Sequence, residues 1–407
     1  MATITVNAGD TSTGKTLTGD IMQVYGTAEN TKVKTDGQLN VYNGGSANST
    51  TVSAGGAFTV SNGGIATITT VKQNGSMTVV LGGNATSTTV NEGGTAAIAG
   101  NATSTTLSGG TLYISNGGRA TIATVKNGGT MHVSNGAQAT SATVTSGGIT
   151  IFAGGAATST TVKSNGEMTV AQNATATGTT ATDGGTVKVQ GQVTGTVLSG
   201  SENNAYLHVS DGGQAMTTTV DYNGYLYVSN GGQATSTTVK EDGRMYVSDG
   251  GKVTSTTVNH NGFLFVSNGG SVNDTVVSGG LYVSNGGSVN GVDVKTGGCL
   301  YLYTGGKATG KLTFADGATV EAQAGAIIDF DISGLSPANA VLINNLSLVT
   351  GSPAFTLTVD DSQAAGNYKL AAGVASFDKT ITVVNTSGTE LGTISVAEST
   401  KQLGGRN

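Results

Sequence analysis

Residues 228–258 read "VSNGGQATSTTVKEDGRMYVSDGGKVTSTTV" and say nearly the same thing twice. Glycine pairs fall at 231–232 and 250–251, and further pairs at 212–213 and 269–270 keep the same nineteen-residue step. The successive units are "SDGGQAMTTTVDYNGYLYV", "SNGGQATSTTVKEDGRMYV", "SDGGKVTSTTVNHNGFLFV" and the shortened "SNGGSVNDTVVSGGLYV". Looser copies begin at Ser61, "SNGGIATITTVKQNGSMTV", and at Ser115, "SNGGRATIATVKNGGTMHV". A fixed period near this length is the mark of an array of stacked units.

Each unit holds two short runs rich in β-branched and aromatic residues, such as "ATSTTV" and "RMYV", separated by Gly, Asn and Asp. No 3.6-residue periodicity runs through them. Two strands and two glycine turns fit one coil of a solenoid. The expected fold is therefore all-β: one single-stranded, right-handed parallel β-helix of about 19 residues per coil, closed by a less regular C-terminal cap. Residues 1–39 are assigned to N-terminal coils or a cap, 40–305 to the repeat, and 306–407 to irregular coils and the cap. Both prolines, Pro337 and Pro353, lie in that last part. A solenoid end exposes unpaired strand edges, which is the reason a cap is expected.

Strand alternation assigns the faces. Leu226 and Val228, Met245 and Val247, and Leu264 and Val266 should point inward, flanking Tyr227, Tyr246 and Phe265. Val220, Val239 and Val258 should also face in, with Ala215, Ala234 and Val253 at the corner. A bulge would invert the threonines, so their facing stays open. Asn62, Asn116, Asn230, Asn268 and Asn285 stand beside glycine pairs, where asparagine tolerates left-handed backbone. One coil buries too little to offset the ordering of its own backbone, so the array stands only by sharing faces and hydrogen bonds between neighbours.

Composition narrows the function. The chain has 407 residues, 66 of them glycine, with 10% charged, 5% aromatic and no tryptophan. Net charge is −6 and no basic cluster is dense enough to follow a phosphate backbone, so nucleic acid is not an expected partner. The single cysteine, Cys299, excludes an internal disulfide and reads as an incidental exposed thiol. No apolar stretch is long enough for a membrane-spanning helix. The opening "MATITVNAGD" has no basic and apolar leader, and no segment resembling a translocator barrel is seen, so the expectation is a passenger fragment or another export route.

The unit "GGQATSTTVKEDGRMYV" resembles the AIDA-type repeat of bacterial autotransporter adhesins, the self-associating autotransporters, over about residues 40–305. "GNYKLAAG", residues 366–373, looks like strand segments of C-terminal passenger regions. The resemblance implies an extracellular, surface-exposed passenger of a Gram-negative bacterium that mediates adhesion, aggregation or biofilm formation. It also implies O-linked heptose added to Ser or Thr by a glycosyltransferase. By repeat position the acceptor candidates are Thr86, Ser87, Thr88, Thr158, Ser159, Thr160, Thr235, Ser236, Thr237, Thr254, Ser255 and Thr256.

The residues themselves offer one binding candidate, an outward stripe of one ring per coil: His208, Tyr227, Tyr246, Phe265, Tyr282 and Tyr301, with Tyr113 and His132 in earlier coils. Such a ladder suits stacking on surface glycans, pairing with a second copy of the chain, or stacking within itself. Regular T-x-T, as at Thr235/Thr237 and Thr254/Thr256, would also suit an ice-binding solenoid, although Ala123, Ala142 and Met216 interrupt the grid. A structural spacer is a further alternative. Catalysis has little support, because His132, His208 and His260 fall in different coils. A carbohydrate-active β-helix enzyme is therefore the weaker reading. Asp329 and Asp331 are expected on one solvated strand face, opposite Ile328, Phe330 and Ile332. Neither a metal nor a cofactor is expected, and the calcium-binding G-G-x-G-x-D repeat is missing.

Overall fold

A computed structural model describes residues 1–337, 341–374 and 377–396. Its contacts divide the chain into two compact units, Met1–His208 with Gly213–Ala215, and Val209–Gly212 with Met216–Asn407. Both are stacks of parallel β-coils, as the repeat predicts. Among the described residues there is no α-helix, only the short 3-10 turn Leu346–Leu348.

Among the described residues the repeat coils contribute to two sheets. In the first unit, four-residue strands pair in parallel, from Thr3–Val6 and Ile21–Val24 through Glu167–Val170 to Thr186–Val189. In the second, the five-residue Gly224–Val228 and the four-residue Arg244–Val247, Phe263–Val266, Gly280–Val283 and Cys299–Leu302 pair in the same way. The other sheet is built from threonine strands such as Gln233–Val239 and Lys252–Val258. Pairing is in register: Gln233 faces Lys252, and Val239 faces Val258. Inward residues therefore stack like on like. Leu226, Val228, Met245, Val247, Leu264, Val266, Val220, Val239, Val258, Ala215, Ala234 and Val253 are all at most 1% exposed, as alternation predicts.

The threonine strand is bent, and the bend fixes which threonines face in. Ser49, Ser87, Ser159, Ser236 and Ser255 occupy its middle with φ between 54° and 58°. In other coils Gly178, Gly195 and Gly291 hold the corner with φ of 64–69°. A left-handed residue resets the alternation. Thr235 and Ser236 are exposed, and the next residue, Thr237, is 1% exposed. The result is an inner threonine ladder that includes Thr50, Thr69, Thr88, Thr160, Thr237, Thr256 and Thr275. The serine corner is the bulge that alternation alone leaves undecided. It also removes the expected T-x-T surface, since Thr235 and Thr237 point to opposite sides of the wall.

The asparagines beside the glycine pairs divide into two groups. Asn230 and Asn268 adopt left-handed backbone, with φ of 48° and 47°. At Asn62, Asn116 and Asn285 only the following glycine does so. There the asparagine Oδ1 lies against a glycine of the next coil: a Cβ on Gly82 would sit 2.1 Å from Asn62 Oδ1, and one on Gly136 2.2 Å from Asn116 Oδ1. Those glycines leave room for an amide.

Past Leu302 the coils lengthen. Lys307–Phe314, Ile327–Asp331, Ala354–Val359 and Lys379–Asn385 continue in parallel. Glu390–Val396 then pairs antiparallel with Lys379–Asn385 and reverses the chain along that edge. Residues 338–340 and 375–376, and 397–407 of the assigned C-terminal part, lie outside the described residues.

Candidate functional site

The outer face of the four-residue strands carries the ring stripe. In the second unit, register places Tyr227 beside Tyr246, Tyr246 beside Phe265, Phe265 beside Tyr282 and Tyr282 beside Tyr301. The rings stack at centroid separations of 5.0, 4.9, 5.0 and 5.1 Å, within 17° of parallel. This spacing is the coil repeat, so the sheet sets the stacking geometry. Each ring is half-buried. Such aromatic pairs contribute about 0.5–1.5 kcal/mol each beyond area burial, and a good part of the ring surface is spent inside the ladder. Burial pushes the Tyr246 and Tyr282 phenols above the ordinary tyrosine range. For Tyr301 the neighbouring Cys299 is the main cause of the same rise. These three phenols therefore stay protonated at neutral pH.

A second column runs alongside. The Arg244 guanidinium lies 5.4 Å from the Tyr225 ring centre and 5.9 Å from that of Phe263, a cation between two π faces. Its Nη1 also donates to the Tyr225 hydroxyl. Gly280 follows, and a Cβ there would meet the Tyr282 ring at 2.6 Å. Cys299 closes the column and is half-buried, less exposed than its variable position suggests.

His208 belongs to the first unit. Its ring lies nearly parallel to that of Tyr206, 6.3 Å away. Burial, helped by Lys188, holds its pKa below the ordinary histidine value, so it too is neutral. Tyr113 and His132 stack at 5.0 Å in the same unit.

The acceptor candidates separate by face. Thr86, Ser87, Thr158, Ser159, Thr235, Ser236 and Ser255 are exposed, and Thr254 is half-buried. Thr88, Thr160, Thr237 and Thr256 are corrected to inner-ladder residues: at 1–2% exposure their hydroxyls face the core and cannot meet an enzyme on the folded coil. The left-handed serine causes the inversion.

Asp329 is a second correction. It is 2% exposed rather than solvated. Lys307 Nζ lies 2.7 Å from its Oδ2. Thr356 and Thr358 donate to its Oδ1 at 2.7 and 2.9 Å, and Thr309 donates to Oδ2 at 3.3 Å. The lysine and threonines come from the coils on either side, so the carboxylate ties three coils together. Asp331 caps its own turn through Ser333. Neither arrangement is a catalytic dyad. Among the described residues no cluster of three or more His, Cys, Asp or Glu is placed to hold a metal.

Sequence reasoning missed a recess on the first unit, lined by Asn165, Asp183, Glu202, Asn203 and Tyr206 among others. Its signal was a broken count. Nine positions separate the inward residues Leu198 and Leu207, where six separate Ala181 from Val187 and Val162 from Met168.

A family model described as "Adhesin of bacterial autotransporter system, probable stalk" (AIDA) matches residues 211–262. No curated protein matches the chain. Among solved structures, a TibA fragment hyper-glycosylated by TibC aligns at 29% identity and TM-score 0.47, covering 81% of this chain and all of that one. A mannuronic acid specific family 6 polysaccharide lyase from human gut microbiota aligns at 10% identity and TM-score 0.20, covering 95% and 91%. An alginate lyase aligns at 9% and 0.15, covering 97% and 87%. The matched segment spans the glycine pairs at 212–213, 231–232 and 250–251 and carries Tyr227 and Tyr246, so over residues 211–262 the chain is similar to the AIDA-type stalk repeat of the bacterial autotransporter adhesins.

Proposed function

We propose that the chain is a passenger segment displayed at the surface of a Gram-negative bacterium, where it mediates adhesion or aggregation without catalysis. The AIDA match at residues 211–262 carries this reading. The wall chemistry supports it: outward threonines and serines recur on one sheet, and rings from Tyr227 to Tyr301 recur on the other, so many weak contacts can act together. Only 10% of residues are charged, which lowers repulsion between identical copies. The TibA neighbour is a glycosylated fragment by its own description. By the same proposal the exposed hydroxyls of this chain accept O-linked sugar from a glycosyltransferase, and the partners are a second copy or surface glycans.

The test is display of the chain on a non-aggregating bacterium, followed by settling. Cells bearing it should clump, and the triple change Tyr227→Ser, Tyr246→Ser and Phe265→Ser should reduce clumping if the stripe takes part. Cells that stay dispersed would favour the second reading, a spacer. Two observations favour that one: the family description names a stalk, and the rings already satisfy one another by stacking.

A further inference from the structure

The first unit departs from its own period at one outward turn. The segment Gly200–Asn204 adds three residues to the turn that joins the inward positions Leu198 and Leu207. This loop is tied down. Asp183 Oδ1, one coil earlier, accepts from Ser201 N at 2.7 Å, Ser201 Oγ at 3.1 Å and Glu202 N at 3.0 Å. Gly184 N donates to Asn204 O at 2.9 Å, and Asn204 Nδ2 donates to the Tyr206 hydroxyl at 3.1 Å. Ser164 N in turn donates to Asp183 O, so the recess spans three successive turns. Its open volume is about 730 Å3, the size of a small-ligand site.

The lining is unusual for a pocket. Ligand sites are mostly apolar with a few polar groups. This one presents amides from Asn165 and Asn203, carboxylates from Asp183 and Glu202, hydroxyls, and one aromatic wall, Tyr206. No aliphatic side chain and no Lys or Arg contributes to it. An apolar ligand would gain nothing there, and an anionic one would meet two carboxylates with no cation to offset them. A polyhydroxylated, uncharged molecule uses both donors and acceptors.

We propose that this recess is a saccharide-binding subsite selective for neutral sugars over acidic ones. It lies apart from the ring stripe and does not depend on the adhesion reading: a stalk with no adhesive role could still carry it, and an adhesive stripe could exist without it.

The experiment is saturation-transfer NMR on the whole chain with glucose, galactose, mannose, N-acetylglucosamine and, as the acidic counterpart, glucuronate. At least one neutral sugar should receive transfer, and glucuronate should receive none. Asn203→Ala should weaken binding about tenfold, the effect of removing one hydrogen bond from a polar site. Glu202→Gln, which keeps the shape and removes a charge, should admit glucuronate. Both positions are exposed, so neither change threatens the fold. Absence of transfer to every sugar, equal transfer to glucuronate in the parent, or unaltered binding in Asn203→Ala would each overturn the proposal. A settling result of either sign would leave it untouched.

Discussion

At the scale of single residues, the inner threonine ladder is the least expected feature. Thr50, Thr69, Thr88, Thr160, Thr237 and Thr256 are buried, and their hydroxyl oxygens have no hydrogen-bond partner. A buried unpaired polar atom costs about 1–3 kcal/mol. The ladder itself shows the remedy: Thr275 pairs in register with Val292, and Ala123 and Ala142 are equally buried at the same turn of other coils. Thr237→Val should therefore hold or raise stability, by up to about 2 kcal/mol, read as the urea midpoint at constant slope. A clear fall would mean the hydroxyl is satisfied in solution. Gly251→Ala should do the opposite, because its Cβ would come 2.2 Å from the Val228 carbonyl oxygen of the preceding coil. Backbone cannot yield at that distance without opening the ladder, so a loss of several kcal/mol is expected in the same measurement. Modification follows the same geometry. Material from a glycosylating host should carry sugar on Thr86, Ser87, Thr235, Ser236 or Ser255 and none on Thr88 or Thr237. Peptide mapping decides this, and sugar on the inner pair would show that transfer precedes folding.

At the scale of elements, the turns and strand ends differ in how far the sequence disclosed them. The inward aliphatics of the four-residue strands were legible because period-two alternation is unbroken from Leu226 to Val228 and from Leu264 to Val266. The threonine strand was only half legible: "ATSTTV" does not reveal that its serine is left-handed, and that one dihedral decides which hydroxyls face out. The Gly200–Asn204 loop was visible only as an interrupted count. Asp329 was misplaced because alternation describes one strand, while its burial comes from Lys307, Thr356 and Thr358 on neighbouring coils. Removing that carboxylate strands three threonine hydroxyls, those of Thr309, Thr356 and Thr358, and the Lys307 ammonium, so Asp329→Ala should cost about 2–4 kcal/mol. Hydrogen exchange should show the loss in Ala354–Val359 and leave Arg244–Val247 protected. The loop gives a pH prediction. Donation from Glu202 N and Ser201 N holds the Asp183 carboxyl below its ordinary value. A carboxyl depressed by the fold adds stability above its unfolded pKa and loses it as pH falls through the folded one. The loop should thus stay closed at neutral pH and loosen below about pH 4, seen in the Ser201 and Glu202 amide resonances. Asp183→Asn should bring the same loosening at neutral pH, and resonances that ignore both changes would show the loop is held by other contacts.

At the scale of the whole molecule, the governing fact is that each coil offers its neighbour the same surface. Ordinary domains lose their core when an internal segment is removed, because their contacts join segments distant in sequence. Here the contacts of Gln233–Val239 run to Lys252–Val258, one period on, and residues one period apart occupy equivalent places. Stability is then close to a sum of similar coil and interface terms. Excising Gln233–Gly251, one full period, joins Gly232 to Lys252, and Lys252 already stands in register with the residue it replaces. The shortened chain should keep its β-sheet circular dichroism and a cooperative melt, with a loss smaller than that from Gly251→Ala, which leaves a damaged coil inside the stack. Excising half a period should be far worse. It would carry "RMYV" onto the threonine sheet, turn a ring-bearing strand into a corner, and force every later coil to re-register or unpair. Limited proteolysis separates the outcomes: the full-period deletion should resist cleavage like the parent, and the half-period deletion should be cut throughout the second unit. If both resist equally, nineteen-residue register is not what holds the coils together. If both are cut equally, the coils depend on long-range features that the parallel ladder does not contain.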